Sequence, residues 1–268
     1  MEKHNIDIFK KINELVTEGE EFVLATIIEA SIGTPGRLGF KMIINQKESF
    51  GTVGGGELEF QTSIEMKNIL NEEKKSKIIK YSLTPDLKMA CGGKVKIFLE
   101  YFPSAKRAWL FGAGHMGLSL TPLLSSVGFR VTVVDNREDF ALKEKFKDAD
   151  NVILKDYLEF AREFTPREND SIIIFTYGHE YDYDILKILA QRDINVKYLG
   201  IIGAKNKIKK IKSKIKAFEY GDLVDNLFAP IGLNIARRTT PEISIAIAAE
   251  IVAVYNGVED IKMMSKIK

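Results

Sequence analysis

AWLFGAGHMGLSLTPLLSSVGFRVTVVD, residues Ala108–Asp135, is the stretch that decides the fold. Ala108–Gly112 is a short apolar strand. It runs into Gly112-x-Gly114-x-x-Gly117, and a helix follows that ends at Gly128, a residue suited to the left-handed cap. Arg130–Asp135 is then a second strand. In such an arrangement the first glycine permits a tight turn and the second lets backbone approach a pyrophosphate. The third lets the helix pack closely on the strand. The helix start offers unpaired N–H groups and a partial positive charge to an anion. Asp135 follows Gly117 at about the 20-residue spacing at which an acid bonds a ribose hydroxyl. Gly112, Gly114, Gly117 and Asp135 are therefore cofactor-binding candidates. His115 joins them from inside the turn, as an anion contact or as a plain polar loop residue.

Downstream, NVIL, SIIIFT (Ser171–Thr176) and VKYLGIIG (Val196–Gly203) are further strands with helical segments between them. Strands spaced by helices imply right-handed crossovers and a parallel sheet. Residues 104–268 thus read as a Rossmann-like domain. Its closing helix, in TTPEISIAIAAEIVAVYNG, is expected to start with Thr240 as N-cap and Pro241 at the first helical position, and to end at Gly257.

Upstream of Pro103 the texture differs. Strand-like segments alternate with glycine clusters, and residues 1–103 read as a separate α+β domain. Ile8, Phe9, Ile12, Leu15 and Val16 recur at helical spacing. FVLATIIEA (Phe22–Ala30) and FKMIIN (Phe40–Asn45) are strands around the loop Ser31–Gly39. Gly54-Gly55-Gly56 precedes a helix whose apolar markers are Leu58, Ile64, Ile69 and Leu70. KIIKYSL and KVKIFLEYF are two more strands, flanking Thr84–Gly93. The class is α/β: an N-terminal α+β domain followed by a Rossmann-like parallel-sheet domain.

Composition excludes several classes. The 268 residues are 45% hydrophobic and 28% charged, ordinary for a globular chain. Lys and Arg number 39 against 37 Asp and Glu, a net charge of +2 that gives no reason to expect nucleic acid or an acidic membrane. The one cysteine forbids an intrachain disulfide, and one Cys with three scattered His residues builds no metal site. Met1–Leu15 lacks the apolar core of a signal peptide, and no apolar run approaches a membrane span. A cytoplasmic protein is the expectation.

Four further segments carry candidate chemistry. Gly54, Gly55 and Gly56 form a backbone able to wrap an anion with N–H groups, or a tight turn where another backbone passes. Glu57 and Glu59 suit the positive start of the helix that follows. Cys91, beside Gly92 and Gly93, is a nucleophile or sulfur carrier if its pKa is lowered, or else a small buried residue. His179 follows a parallel strand, so it belongs to the same sheet edge as Gly112–Gly117 and could transfer a proton. Ala204–Phe218 holds seven lysines around an Ile208, Ile211 and Ile215 stripe. That is a solvated basic face or a docking surface for an acidic partner.

Taken together, SIGTPGRLGFKMII, GTVGGGELE, MACGGKVKIFLEYF, LFGAGHMGLSL with VVDNRE, YLGIIGAKNK and APIGLNIARRTTPEISIAIAAEIVA resemble the XdhC/CoxI family of xanthine dehydrogenase accessory proteins. The resemblance implies an accessory chaperone, not a hydroxylase. It implies binding of the molybdenum cofactor, a phosphorylated pterin dithiolene (molybdopterin). It implies sulfuration of that cofactor with a cysteine desulfurase, and delivery to a molybdenum hydroxylase such as xanthine dehydrogenase. Carried over by motif, Gly54, Gly55, Gly56, Gly112, Gly114, His115, Gly117 and Asp135 are cofactor-binding, and Cys91 and His179 are catalytic. The family commonly has Ser/Thr-Pro-Arg in the first loop. Here Thr34-Pro35 is followed by Gly36, with Arg37 one position later.

The rival expectation is an NAD(P)-dependent oxidoreductase built on the Rossmann loop, with Asp135 favouring NAD over NADP. A third is a nucleotide-sensing module without chemistry. A homodimer is expected on the general frequency of symmetric dimers.

Overall fold

The computed structural model describes residues 2–82, 93–217, 227–235, 239–258 and 260. The chain forms two compact units, Met1–Ala105 and Lys106–Lys268.

The first unit holds α1 (Glu2–Glu18), β1 (Phe22–Ala30), β2 (Lys41–Ile44), β3 (Ser49–Gly51), α2 (Gly56–Asn68), β4 (Lys77–Ser82) and β5 (Lys94–Phe102). Its five strands lie in the order β3-β2-β1-β5-β4, every neighbouring pair antiparallel. The period-2 alternation of strand side chains divides the central strand between two cores. Phe22 and Leu24 pack with Ile8 and Leu15 of α1, and Val23, Ala25 and Ile27 pack with Leu58 and Met66 of α2. β1 is thus covered on both faces, which is why it reads as a nearly continuous apolar run. The helical stripes are narrower than the sequence suggests. Ile8, Ile12 and Leu15 face the core, while Phe9 and Val16, one step further round, are 59% and 47% exposed. On α2 the buried positions are Leu58, Thr62 and Met66 at spacing four, and Ile64 points outward.

The second unit holds β6 (Lys106–Phe111), α3 (His115–Ser126), β7 (Phe129–Asp135), β8 (Asn151–Leu154), α4 (Tyr157–Glu163), β9 (Ser171–Ile174), α5 (His179–Gln191), β10 (Tyr198–Ile201), α6 (Lys205–Ala217), β11 (Leu227–Phe228) and α7 (Thr240–Tyr255). The sheet runs β8-β7-β6-β9-β10-β11, all parallel. Counted from β6 this is the doubly wound order 3-2-1-4-5-6, whose direction of winding reverses between β6 and β9. Trp109 and Phe111 point to the face covered by α4, α5 and α6; Ala108 and Leu110 point to the face covered by α3 and α7. At the amino edge Asp170 accepts from Arg107 Nε (2.9 Å) and Nη2 (2.7 Å), from Trp109 Nε1 (2.9 Å) and from the Arg167 N–H (2.9 Å). That knot ties β6 to the turn before β9.

Gly128 ends α3 at φ 86°, as the sequence implies. The N-cap of α7 is Thr239 rather than Thr240. The reason is a capping box: the Thr239 hydroxyl accepts from the Glu242 N–H, and the Glu242 carboxylate accepts from the Thr239 N–H. Glu242 stands three residues after Thr239, the spacing the box requires. Among the described residues no helix is long and apolar enough to cross a membrane.

Candidate functional site

The glycine turn after β6 lies at the carboxyl edge of the parallel sheet, where the winding reverses. Its three glycines have different physical reasons. A Cβ on Gly112 would lie 2.7 Å from the Phe175 carbonyl oxygen, and one on Gly117 would lie 2.4 Å from the Gly112 carbonyl oxygen. Both residues are demanded by the turn itself. Gly114 is not. Its φ is −77°, which any residue adopts, and a Cβ there would meet nothing within 4 Å. The missing side chain at Gly114 keeps open the space over the start of α3. Gly114 also caps α3 with no side-chain hydrogen bond, so the N-cap residue itself supplies no acceptor to the N–H groups of the first turn. Open space above uncapped amides fits an anionic group. His115, the first residue of α3, is exposed beside it.

Asp135 ends β7 and is fully buried. Its Oδ2 accepts from the Ala113 N–H at 2.7 Å and from Arg137 Nη2 at 2.8 Å. Its Oδ1 accepts from the Arg137 N–H at 3.0 Å and Arg137 Nε at 2.8 Å. Four donors meet the four lone-pair positions of a carboxylate. Burial alone would raise the Asp135 pKa, but the Arg137 side chain, the Ala113 N–H, the Tyr157 hydroxyl and the Arg137 N–H together outweigh it and hold the group below the ordinary aspartate value. The Arg137 guanidinium is itself sandwiched, 3.7 Å from the Phe140 ring centre and 4.2 Å from that of Tyr177.

The loops after β9 and β10 meet at the same edge. Asp182, buried on α5, accepts from the Thr176 N–H at 3.2 Å and the Thr176 hydroxyl at 2.7 Å, and pairs with Lys207 of α6. Lys207 also donates to the Ile202 carbonyl at 3.0 Å. α5 begins at His179, which places the start of that helix on the edge that carries Gly112–Gly117.

In the first unit three glycine segments converge. A Cβ on Gly54 would lie 2.6 Å from the Gly36 nitrogen, and one on Gly36 would lie 2.3 Å from the Val53 oxygen. Here two loops pass backbone to backbone, which accounts for Gly36 where an arginine is usual in the resemblance; Arg37 is exposed. Gly93 faces Thr34 of the same loop, 2.9 Å from its methyl to the position of a Cβ. Gly54, Gly55 and Gly56 all have positive φ and shape an N–H cradle. The anion in it belongs to the chain. Glu59 Oε2 accepts from the Val53 N–H at 3.2 Å, the Gly55 N–H at 3.1 Å and the Thr52 hydroxyl, and the Gly54 N–H donates to the Thr52 Oγ1 at 3.0 Å. Cys91 and Gly92 lie outside the described residues.

Residues 108–251 match the XdhC Rossmann domain, and residues 15–82 match the XdhC and CoxI family. The chain belongs to the XdhC/CoxI family. YqeB of Escherichia coli (strain K12), an uncharacterized protein, is 25% identical over 261 residues, covering 94% of this chain and 47% of YqeB. A protein of Bacillus subtilis (strain 168) named as a probable xanthine dehydrogenase subunit is 27% identical over 156 residues, covering 58% of this chain and 45% of that protein. The chain therefore spans about half the length of the curated relatives it matches. A crystal structure from Bacillus halodurans, described as a xanthine dehydrogenase, has the same fold, with a TM-score of 0.53 at 21% identity over 95% of this chain and 97% of that one.

Arg137, Asn136, Tyr157 and the Asp182–Lys207 pair escape a reading of the sequence. An arginine two residues after a strand-end acid is a usable signal for the first of them.

Proposed function

We propose that this XdhC/CoxI member is an accessory protein of a xanthine dehydrogenase-type molybdenum hydroxylase: it holds the molybdenum cofactor, assists its sulfuration with a cysteine desulfurase, and hands it to the hydroxylase. The observation that carries the reading is the vacant side-chain position at Gly114. It leaves the uncapped start of α3 open to a phosphate, which the cofactor carries, within a family fold matched across both units. The name of the Bacillus subtilis relative favours the same partner class.

In this reading Gly114, His115 and the first turn of α3 take the phosphate. Cys91 is the group proposed to receive or pass sulfur, and His179 the one to move a proton. The Gly54–Gly56 segment serves differently from the phosphate cradle expected of it, because Glu59 already fills it; its amides become available only when Glu59 leaves.

The dehydrogenase reading is the weaker one. A ribose diol needs a free acceptor at the end of β7, and all four lone-pair positions of Asp135 are taken by donors of this chain. The test is transfer. Chain loaded with molybdenum cofactor, mixed with cofactor-free xanthine dehydrogenase and a cysteine desulfurase, should restore hydroxylase activity faster than free cofactor does. Equal rates with and without the chain would defeat the proposal.

A further inference from the structure

The helix α6, KNKIKKIKSKIKA, holds seven lysines and no acid, in a chain whose net charge is only +2. Its apolar side is already used, because Ile208 and Ile211 are buried in the core under the sheet. Between α5 and α6 lies a cavity of about 630 Å³. Tyr183 and Asp184 line it from α5, and Lys207, Lys210, Ile211 and Lys214 line it from α6. Those four α6 positions recur at spacings of three and four, so they share one helical face. From Lys207 to Lys214 that face runs two turns, about 10 Å. Lys207 is paired with Asp182, but Lys210 and Lys214 are exposed and meet no carboxylate among the described residues. Lys214 stands 5.0 Å from the centre of the Tyr183 ring, so a cation and an aromatic wall adjoin. The cavity belongs to the face of the sheet covered by α4, α5 and α6, whereas the glycine turn leads into α3 on the other face.

We infer that the α5–α6 cavity docks an acidic helical segment of a partner protein. Carboxylates one turn apart on that segment face Lys210 and Lys214, and one large apolar side chain enters between Tyr183 and Ile211. Charge complementarity steers and orients such a contact, and the apolar anchor holds it. The mode is an amphipathic helix in a groove. Other partners fit less well. A membrane-binding helix needs a free apolar side to insert, and here that side is in the core. Nucleic acid would bring its phosphates to Asp184, and the cavity offers no arginine fork among its described residues to read a base edge. A small anion would use the lysines and leave the Tyr183–Ile211 space unfilled. The inference goes beyond the cargo reading and does not depend on it.

The test uses the full chain and two fluorescein-labelled helical peptides of equal charge, each with glutamates at positions i, i+3 and i+7. One carries leucine at i+4 and the other alanine. The leucine peptide should bind the wild type with an affinity that falls as salt rises, and the alanine peptide about tenfold more weakly. Lys210→Glu/Lys214→Glu changes two exposed positions, so it should melt as the wild type does yet bind the leucine peptide at least about tenfold more weakly. Lys10→Glu/Lys147→Glu makes the same change in net charge at exposed lysines elsewhere and should bind as the wild type does. Equal binding of the two peptides would leave the cavity without a role, and equal losses in the two variants would reduce the effect to overall charge. Either result overturns the dock. So would tighter binding of a short DNA duplex or of phosphatidylserine vesicles that Lys210→Glu/Lys214→Glu abolishes, since the face would then belong to phosphates. Retention of molybdenum cofactor by Lys210→Glu/Lys214→Glu should equal that of the wild type. A loss of retention in this variant alone would place the two lysines in the cofactor's own site and overturn the docking assignment.

Discussion

Asp135 and Arg137, two residues apart in sequence, form a bidentate pair in which the carboxylate is fully buried and the guanidinium is clamped between two aromatic rings. The pair closes the end of β7. Its strength has a pH signature. The Asp135 pKa is lowered in the folded chain, so the unfolded chain takes up the proton first as the pH falls. The stabilisation is whole above the unfolded value near pH 4 and is lost as the pH drops through the lower, folded value. Asp135→Asn should therefore cost about 2–3 kcal/mol at neutral pH, and the gap to wild type should shrink below about pH 4. Urea unfolding followed through Trp109, the single tryptophan and a residue of β6, measures both.

Gly112 and Gly114 should separate fold from function. At Gly112 a Cβ would collide with the Phe175 carbonyl and φ is 133°, so Gly112→Ala should destabilise the second unit by at least about 2 kcal/mol. At Gly114 neither obstacle exists. Gly114→Ala should keep stability within about 1 kcal/mol of wild type, yet fill the space over α3 and weaken cofactor retention. Thermal melts paired with a retention assay would show the dissociation; a Gly114→Ala protein that melts normally and retains cofactor fully would remove Gly114 from the site.

Glu59 acts as an internal ligand. Replacing it with alanine strips the Val53 and Gly55 N–H groups of their acceptor and should cost about 1–3 kcal/mol. The emptied cradle should then take an anion from solution. Millimolar phosphate is expected to raise the melting temperature of Glu59→Ala more than that of wild type, and an equal response would show that the cradle collapses without its carboxylate.

Lys207 holds Asp182 across the loops after β9 and β10. Lys207→Met keeps much of the side-chain volume and leaves a buried carboxylate without its cation. A loss of about 3 kcal/mol is expected. Adding Asp182→Asn should recover part of it, since the charge left behind carries much of the penalty. Additive losses in this double-mutant cycle would argue against the coupling.

The framework of the site is legible in the sequence because it is local. The strand, the glycine spacing, the helix and Asp135 lie within 28 consecutive residues, Ala108–Asp135, and each has a position-specific reason. What escapes is not local. Tyr157 comes beside Asp135 only because α4 packs across the sheet, and no spacing rule announces that. In sequence Glu59 reads as a charge suited to a helix start; its role as the anion inside the glycine cradle needs three positive φ values in succession, which glycine permits but does not dictate. Phe9 and Val16 fit a helical spacing with the core residues, yet the buried stripe of α1 is too narrow to include them. Thr240 reads as the cap because it precedes Pro241, whereas the Glu242 side chain selects Thr239. Gly36 departs from the family pattern, and its close approach to Val53 gives the reason.

The most direct measurement is retention. Purified chain is incubated with freshly released molybdenum cofactor and passed over a sizing column. The protein peak is assayed for the fluorescence of the oxidised pterin, while NADH is titrated into the same preparation. About one pterin per chain, with no saturable NADH binding, is the expected result. A protein peak free of pterin, together with saturable NADH binding, would contradict the accessory role and return Asp135 to the dehydrogenase reading.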